Sequence, residues 1–97
     1  MRAEAQAHVD QIRSALDLLR RFLDWDRALR RLDEAIGATR AIERELNDTI
    51  ELIEMAEAEG DDALIDDAVM SLAALAERAE RDKVMALLAG EADANDA

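Results

Sequence analysis

Apolar residues return every three or four positions along nearly the whole chain, and no proline interrupts them. A strand alternates its faces every two residues, so this spacing belongs to helices that each bury one stripe. Val9, Ile12, Leu16, Leu19 and Leu23 make the first stripe and predict a helix over about 3–22. Its next position would be Asp26, so the phase breaks at Leu23-Asp24-Trp25-Asp26. Asp24 suits the N-cap of a new helix and Asp26 its positive first turn, with one continuous bent helix as the competing reading. From Trp25 the pattern resumes at Leu29, Leu32, Ile36, Ile42, Leu46, Ile50 and Ile53, predicting a second helix over about 25–58. Only Gly37 mars it, at a cost of about 1 kcal/mol relative to alanine. Gly60-Asp61-Asp62 is the strongest punctuation, because glycine accepts the left-handed conformation that ends helices and either aspartate caps the next one. Leu64, Ile65, Ala68, Val69, Leu72, Leu75, Ala76 and Ala79 then predict a third helix over about 62–89. Its stripe continues less regularly through Val84, Leu87 and Leu88, and Gly90 supplies a stop.

These stripes predict an all-α fold: an antiparallel hairpin of two long helices with a shorter amino-terminal helix packed on it, a three-helix bundle with coiled-coil-like contacts. With 97 residues, the chain forms one domain, over 1–90. Residues 91–97 have nothing to bury and read as an acidic disordered tail. No cysteine is present, which excludes disulfides and thiolate zinc sites. Arg2, Glu4 and Asp10 interrupt the amino terminus where a signal peptide needs an apolar centre, and no apolar run approaches membrane-spanning length. The expectation is a cytoplasmic protein with no membrane partner.

The formal net charge is −12, which argues against DNA or general nucleic-acid binding, since that affinity comes from lysine and arginine neutralising phosphates. The average conceals an asymmetry. Residues 1–42 hold eight arginines against seven acids, whereas residues 43–97 hold four bases against seventeen acids.

An enzyme needs a nucleophile, base or metal held in a pocket, and the inventory is poor. His8 is the only histidine and reads as a solvated or partly covered side chain. Ser14, Thr39, Thr49 and Ser71 are mid-helix with no histidine near in sequence, so bonding to the helix backbone or exposure explains them better than a triad. No glutamate is followed by histidine at the spacing of di-iron bundles, and the three glycines stand apart, so neither a metal site nor a phosphate cradle is indicated. Glu51, Glu54, Glu57, Glu59, Asp61, Asp62, Asp66 and Asp67 read as a solvated face with caps. The chain is expected to be no enzyme and to use no cofactor.

The arginines are more informative. If the first two helices stack, Arg13, Arg20, Arg27 and Arg31 fall along one face with Arg21 and Arg30 close by, a candidate contact surface for RNA or an acidic protein. The competing account is internal pairing at helical spacings, Asp10 with Arg13, Asp17 with Arg21, Asp24 with Arg27 and Asp26 with Arg30. Trp25, amid these arginines, is either a plug at a helix junction or an exposed anchor.

Three segments carry a wider resemblance: Leu-Leu-Arg-Arg-Phe-Leu-Asp-Trp-Asp at 18–26, Asn-Asp-Thr-Ile-Glu-Leu-Ile-Glu-Met-Ala-Glu-Ala-Glu-Gly-Asp at 47–61, and Ala-Leu-Leu-Ala-Gly-Glu-Ala-Asp-Ala-Asn-Asp at 86–96. Together they resemble the amino-terminal domain of bacterial peptide chain release factor 2, in its proteobacterial form. The chain departs from that pattern in two places. Family members insert a proline- and tryptophan-containing stretch after a segment like Ala28 to Glu34, where this chain runs straight from Glu34 to Ala35, and they continue into the codon-reading domain beyond a segment like Asn95-Asp96. The family reads stop codons with Ser-Pro-Phe and promotes hydrolysis with Gly-Gly-Gln, whereas this chain has no proline and no adjacent glycines. The resemblance therefore implies a domain without release activity of its own that contacts the stalk base of the large ribosomal subunit, through protein and ribosomal RNA. Arg13, Arg20, Arg27, Arg30, Arg31 and Trp25 are its candidate contacts. The alternative is a structural module that self-associates as a homodimer, since without the internal segment Leu29, Leu32 and Ile36 lose a cover.

Overall fold

The computed structural model describes residues 1–25 and 32–95, with side chains described over 1–22 and 36–88. Three helices form: α1 (Ala3–Trp25), α2 (Leu32–Glu59) and α3 (Asp62–Asn95). Among the described residues there is no strand, as the period of the apolar residues dictates. Each helix packs on the other two, α3 most extensively on α1. Successive helices reverse direction, so α1 and α3 run parallel with α2 antiparallel to both.

The core is built from the stripes read from the sequence, although Ile36, Ile50 and Leu64 are half-buried and Leu23, Leu29 and Leu32 lie outside the described side chains. Val9, Ile12, Leu16 and Leu19 of α1, Ile42, Leu46 and Ile53 of α2, and Ile65, Val69, Leu72 and Leu75 of α3 are buried together. Alanines 5, 15, 56, 68, 76 and 79 are buried between them, and a methyl group at these points lets helix backbones approach closely. Thr39 is buried on α2 as well.

The α2–α3 reversal shows how the sequence stops one helix and starts another. Gly60 has φ 69°, the left-handed region that costs an L-residue about 1–2 kcal/mol. That conformation lets the Gly60 amide donate to the Glu57 carbonyl at 3.2 Å and the Asp61 amide donate to the Ala56 carbonyl at 2.9 Å, satisfying two carbonyls at the end of α2. Asp61 then caps α3, its Oδ1 accepting from the Leu64 amide at 3.1 Å.

Three boundaries differ from the sequence reading. α1 continues to Trp25 rather than ending near residue 22, and α2 begins at Leu32 rather than Trp25. Asp24 therefore lies inside α1. One continuous bent helix is also excluded: Arg20 Nε donates to Glu43 Oε1 at 2.9 Å, whereas 23 residues of helix would separate them by about 35 Å at 1.5 Å per residue. At the carboxyl end α3 runs through Gly90 to Asn95, so residues 91–95 are helical and not a disordered tail. Alanine and glutamate around Gly90 have high helix propensity, which outweighs the roughly 1 kcal/mol cost of one glycine.

The continuation of the α3 stripe is also different. Val84, Leu87 and Leu88 are about half exposed, and Met85 is 68% exposed. The five-residue step from Ala79 to Val84 takes the apolar residues off the buried face. The face that buries Ala79 next presents Asp82, Lys83 and Ala86, all half-buried.

Candidate partner-binding surface

α1 and α2 enclose a shallow groove of about 260 Å³, floored by the buried Leu16 and Leu46 and edged by Arg13, Asp17, Arg20, Glu43 and Asn47. Arg13 and Arg20 stand seven residues, two turns, apart on one face of α1, as the spacing requires. The structure brings those two candidate arginines together and treats them differently. Arg20 is engaged internally, by both Nε and Nη2 with Glu43 and by Nη1 with Asp17 at 3.2 Å. Arg13 is exposed and has no ion pair among the described residues.

Arg27, Arg30, Arg31 and Leu29 lie outside the described residues, while Trp25 and Leu32 lie within helices but their side chains fall outside the described set. Ile36 is half-buried on α2. The helical pairs expected for Arg13 and Arg21 are replaced: Asp10 accepts from Gln6 Nε2 at 2.9 Å, and Asp17 accepts from Arg20 rather than Arg21. The pairs of Asp24 and Asp26 lie outside the described side chains.

Other bases, which the sequence reading left out, lie outside the groove's lining. Arg40 and Arg44 are exposed on α2, and Arg78, Arg81 and Lys83 lie on α3 at the same level, where Arg78 Nη1 reaches Glu45 Oε1 at 3.2 Å. A signal for this was present. Arg44 and Arg78 lie nearly equidistant from Gly60, so a chain folded back at that glycine sets them side by side. The acidic residues from Glu51 to Asp67 cluster instead around the Gly60 turn, where Arg2 pairs with Asp66 and, at 3.8 Å, with Asp62. The hydrogen bond to Asp66 and the charges of Asp66, Asp62 and Glu4 hold the proton on Arg2 more firmly than usual.

Lys83 Nζ lies 2.7 Å from Glu80 Oε2, and this bond, with a further one from Gln11 of α1, lowers the Glu80 pKa below its ordinary value. His8 is half-buried on α1. Thr49 and Ser71 donate to the carbonyls of Glu45 and Asp67 at 2.7 and 3.2 Å, the helix-backbone bonding expected of mid-helix hydroxyls. Among the described residues no group of histidines, cysteines or carboxylates is placed to hold a metal ion, and no helix is long and apolar enough to cross a membrane. What the described surface offers chemically is a charged, partly apolar groove.

No family model matches the chain, and no solved structure does. Curated relatives match closely. The chain is similar to peptide chain release factor 2 of Paramagnetospirillum magneticum, 42% identical over 125 aligned positions that take in 99% of this chain and 34% of that protein. Peptide chain release factor 2 of a Ruegeria species is 34% identical, covering 100% of this chain and 34% of its own length. That of Phenylobacterium zucineum is 45% identical over 67 residues, 69% of this chain and 18% of the relative. The chain thus spans about a third of the length of the first of these proteins. Because 125 aligned positions exceed the 97 residues present, that relative carries residues within the matched region that have no counterpart here, in keeping with the missing internal segment. Matched almost from end to end over this span, the chain belongs to the peptide chain release factor 2 family.

Proposed function

We propose that this chain is a ribosome-contacting helical domain of a translation termination factor, engaging the stalk base of the large subunit and having no release activity by itself. The 42% identity to a release factor over 99% of the chain carries the reading. It is supported by composition, since neither Ser-Pro-Phe nor Gly-Gly-Gln occurs in this chain and no constellation of reactive groups replaces them. It is also supported by Arg13, which is exposed at the edge of the groove with no ion pair among the described residues and suits an acidic protein or ribosomal RNA. Arg27, Arg30, Arg31 and Trp25 belong to the same proposed contact. A ribosome-bound role places the protein in the cytoplasm.

Co-sedimentation with purified large ribosomal subunits tests this. The chain is expected to pellet with subunits at low salt, to be released as salt rises, and to bind several-fold more weakly when Arg13 is replaced by glutamate. Failure to pellet at low salt, even at high protein concentration, removes the ribosomal reading.

A further inference from the structure

Residues 13–22 of α1 and 36–47 of α2 hold five arginines, Arg13, Arg20, Arg21, Arg40 and Arg44, against Asp17, Glu43 and Glu45. All three acids are already engaged. Arg20 holds Asp17 and Glu43, and Arg78 of α3 holds Glu45. Arg13, Arg21, Arg40 and Arg44 are exposed and make no ion pair among the described residues. Their placement follows from the helical period. Asn47 lines the groove between α1 and α2, and Arg40 and Arg44 precede it by seven and three residues, so the three form one stripe along the α2 lip. Arg13 stands on the α1 lip opposite. Within the groove Arg13 and Arg20 balance Asp17 and Glu43, so the excess of positive charge comes from Arg21, Arg40 and Arg44 around it. Asp10 and Asp48 bound this stretch on the side of the Gly60 turn.

We infer that this face binds the phosphate backbone of RNA, with Arg40 and Arg44 as contacts beside Arg13, an inference that rests on the ribosomal reading and chooses RNA among its partners. A protein interface draws most of its energy from apolar side chains buried at its centre. Here Leu16 and Leu46 are 2% and 3% exposed, so the floor of the groove is closed and offers no such anchor. What the face presents is guanidinium groups, whose planar fork of N–H donors matches a phosphate and needs no apolar surround. Arg40 and Arg44 stand one turn apart, about 6 Å, a step close to that between successive phosphates of a strand. The acids of the Gly60 turn do not oppose the contact. Gly60 lies sixteen residues beyond Arg44, about 24 Å along α2, whereas a charge acts over about 8 Å in physiological salt.

Filter binding of the full chain to RNA extracted from large ribosomal subunits and freed of protein tests the inference, at about 0.1 M salt, where charges act over about 10 Å. The chain is expected to bind and to be released as salt rises. Arg40→Glu combined with Arg44→Glu weakens binding at least about tenfold. Arg81→Glu, at an exposed unpaired arginine of α3 outside this face, changes it by less than about twofold. Circular dichroism of these variants matches the parent, because all three side chains are exposed. An equal loss from Arg81→Glu would mean that only net charge matters, and overturns the proposal. So does stronger competition by poly-glutamate than by unlabelled RNA, which would assign the face to an acidic protein. A chain that pellets with intact subunits yet ignores protein-free RNA overturns this inference and leaves the ribosomal reading standing. One that binds the RNA but not the subunits does the reverse.

Discussion

Two glycines in this chain have opposite reasons for being there. Gly60 occupies the left-handed region and makes the two hydrogen bonds that close α2 possible. Gly37 lies in regular helix, exposed, with nothing within 4 Å of where a methyl group would stand. Alanine at each should therefore act in opposite directions. Gly60→Ala is expected to destabilise the fold by about 1–2 kcal/mol through backbone strain, and Gly37→Ala to stabilise it by about 0.5–1 kcal/mol by raising helix propensity. Urea denaturation of both variants beside the parent checks this; equal shifts of the same sign would refute the assignment. The Glu80–Lys83 pair shows a similar locality. The lowered pKa of Glu80 contributes stability that is present above its ordinary 4.5 and is lost as pH falls through the lower folded-state value. The pair is partly exposed, so its contribution is small.

At the scale of elements, the three stripes determine which faces meet. Leu46 lies on α2 at 3% exposure and Leu75 on α3 at 5%, each within the single apolar cluster. Leu46→Asp or Leu75→Asp is expected to unfold the chain, because burying an unpaired carboxylate costs several kcal/mol against a total stability of about 5–15. Parental helicity and a parental thermal midpoint in either variant would show that the bundle is held together elsewhere. These faces were legible in the sequence wherever polar residues fill the opposite side of a helix, as they do around Ile12, Leu16, Ile42 and Ile53. Legibility failed in two places for physical reasons. Between Val84 and Ala89 apolar residues surround the helix, so periodicity carries no phase and cannot say which side is inward. At Asp24 a residue suited to capping sits within a run of good helix formers, and propensity prevailed. Of the candidate surface, the sequence showed the seven-residue step from Arg13 to Arg20 but not that Glu43 takes up Arg20, because a contact between helices depends on how far one slides along the other.

At the scale of the whole molecule, the radius of gyration is 15.7 Å, against about 13 Å for a compact domain of this length, and the extents are 56 × 20 × 15 Å. So slender a body has a core about one layer of side chains deep, and it carries a net charge of −12. Its ion pairs are exposed and individually worth little, whereas repulsion among the acids around the Gly60 turn is summed over many partners. Added sodium chloride is therefore expected to raise the thermal midpoint by a few degrees rather than lower it, measurable by circular dichroism melts; a fall would mean the pairs outweigh the repulsion.

Length has one more effect. Mobile ions damp a charge's reach to about 8 Å in physiological salt, a small fraction of the 56 Å from one tip to the other. A partner touching the arginine-bearing half is thus shielded from most of the carboxylates at the opposite tip. The whole-chain average of −12 is a quantity that no docking neighbour experiences: the groove edged by Arg13, Asp17, Arg20 and Glu43 carries two bases against two acids and is locally near neutral.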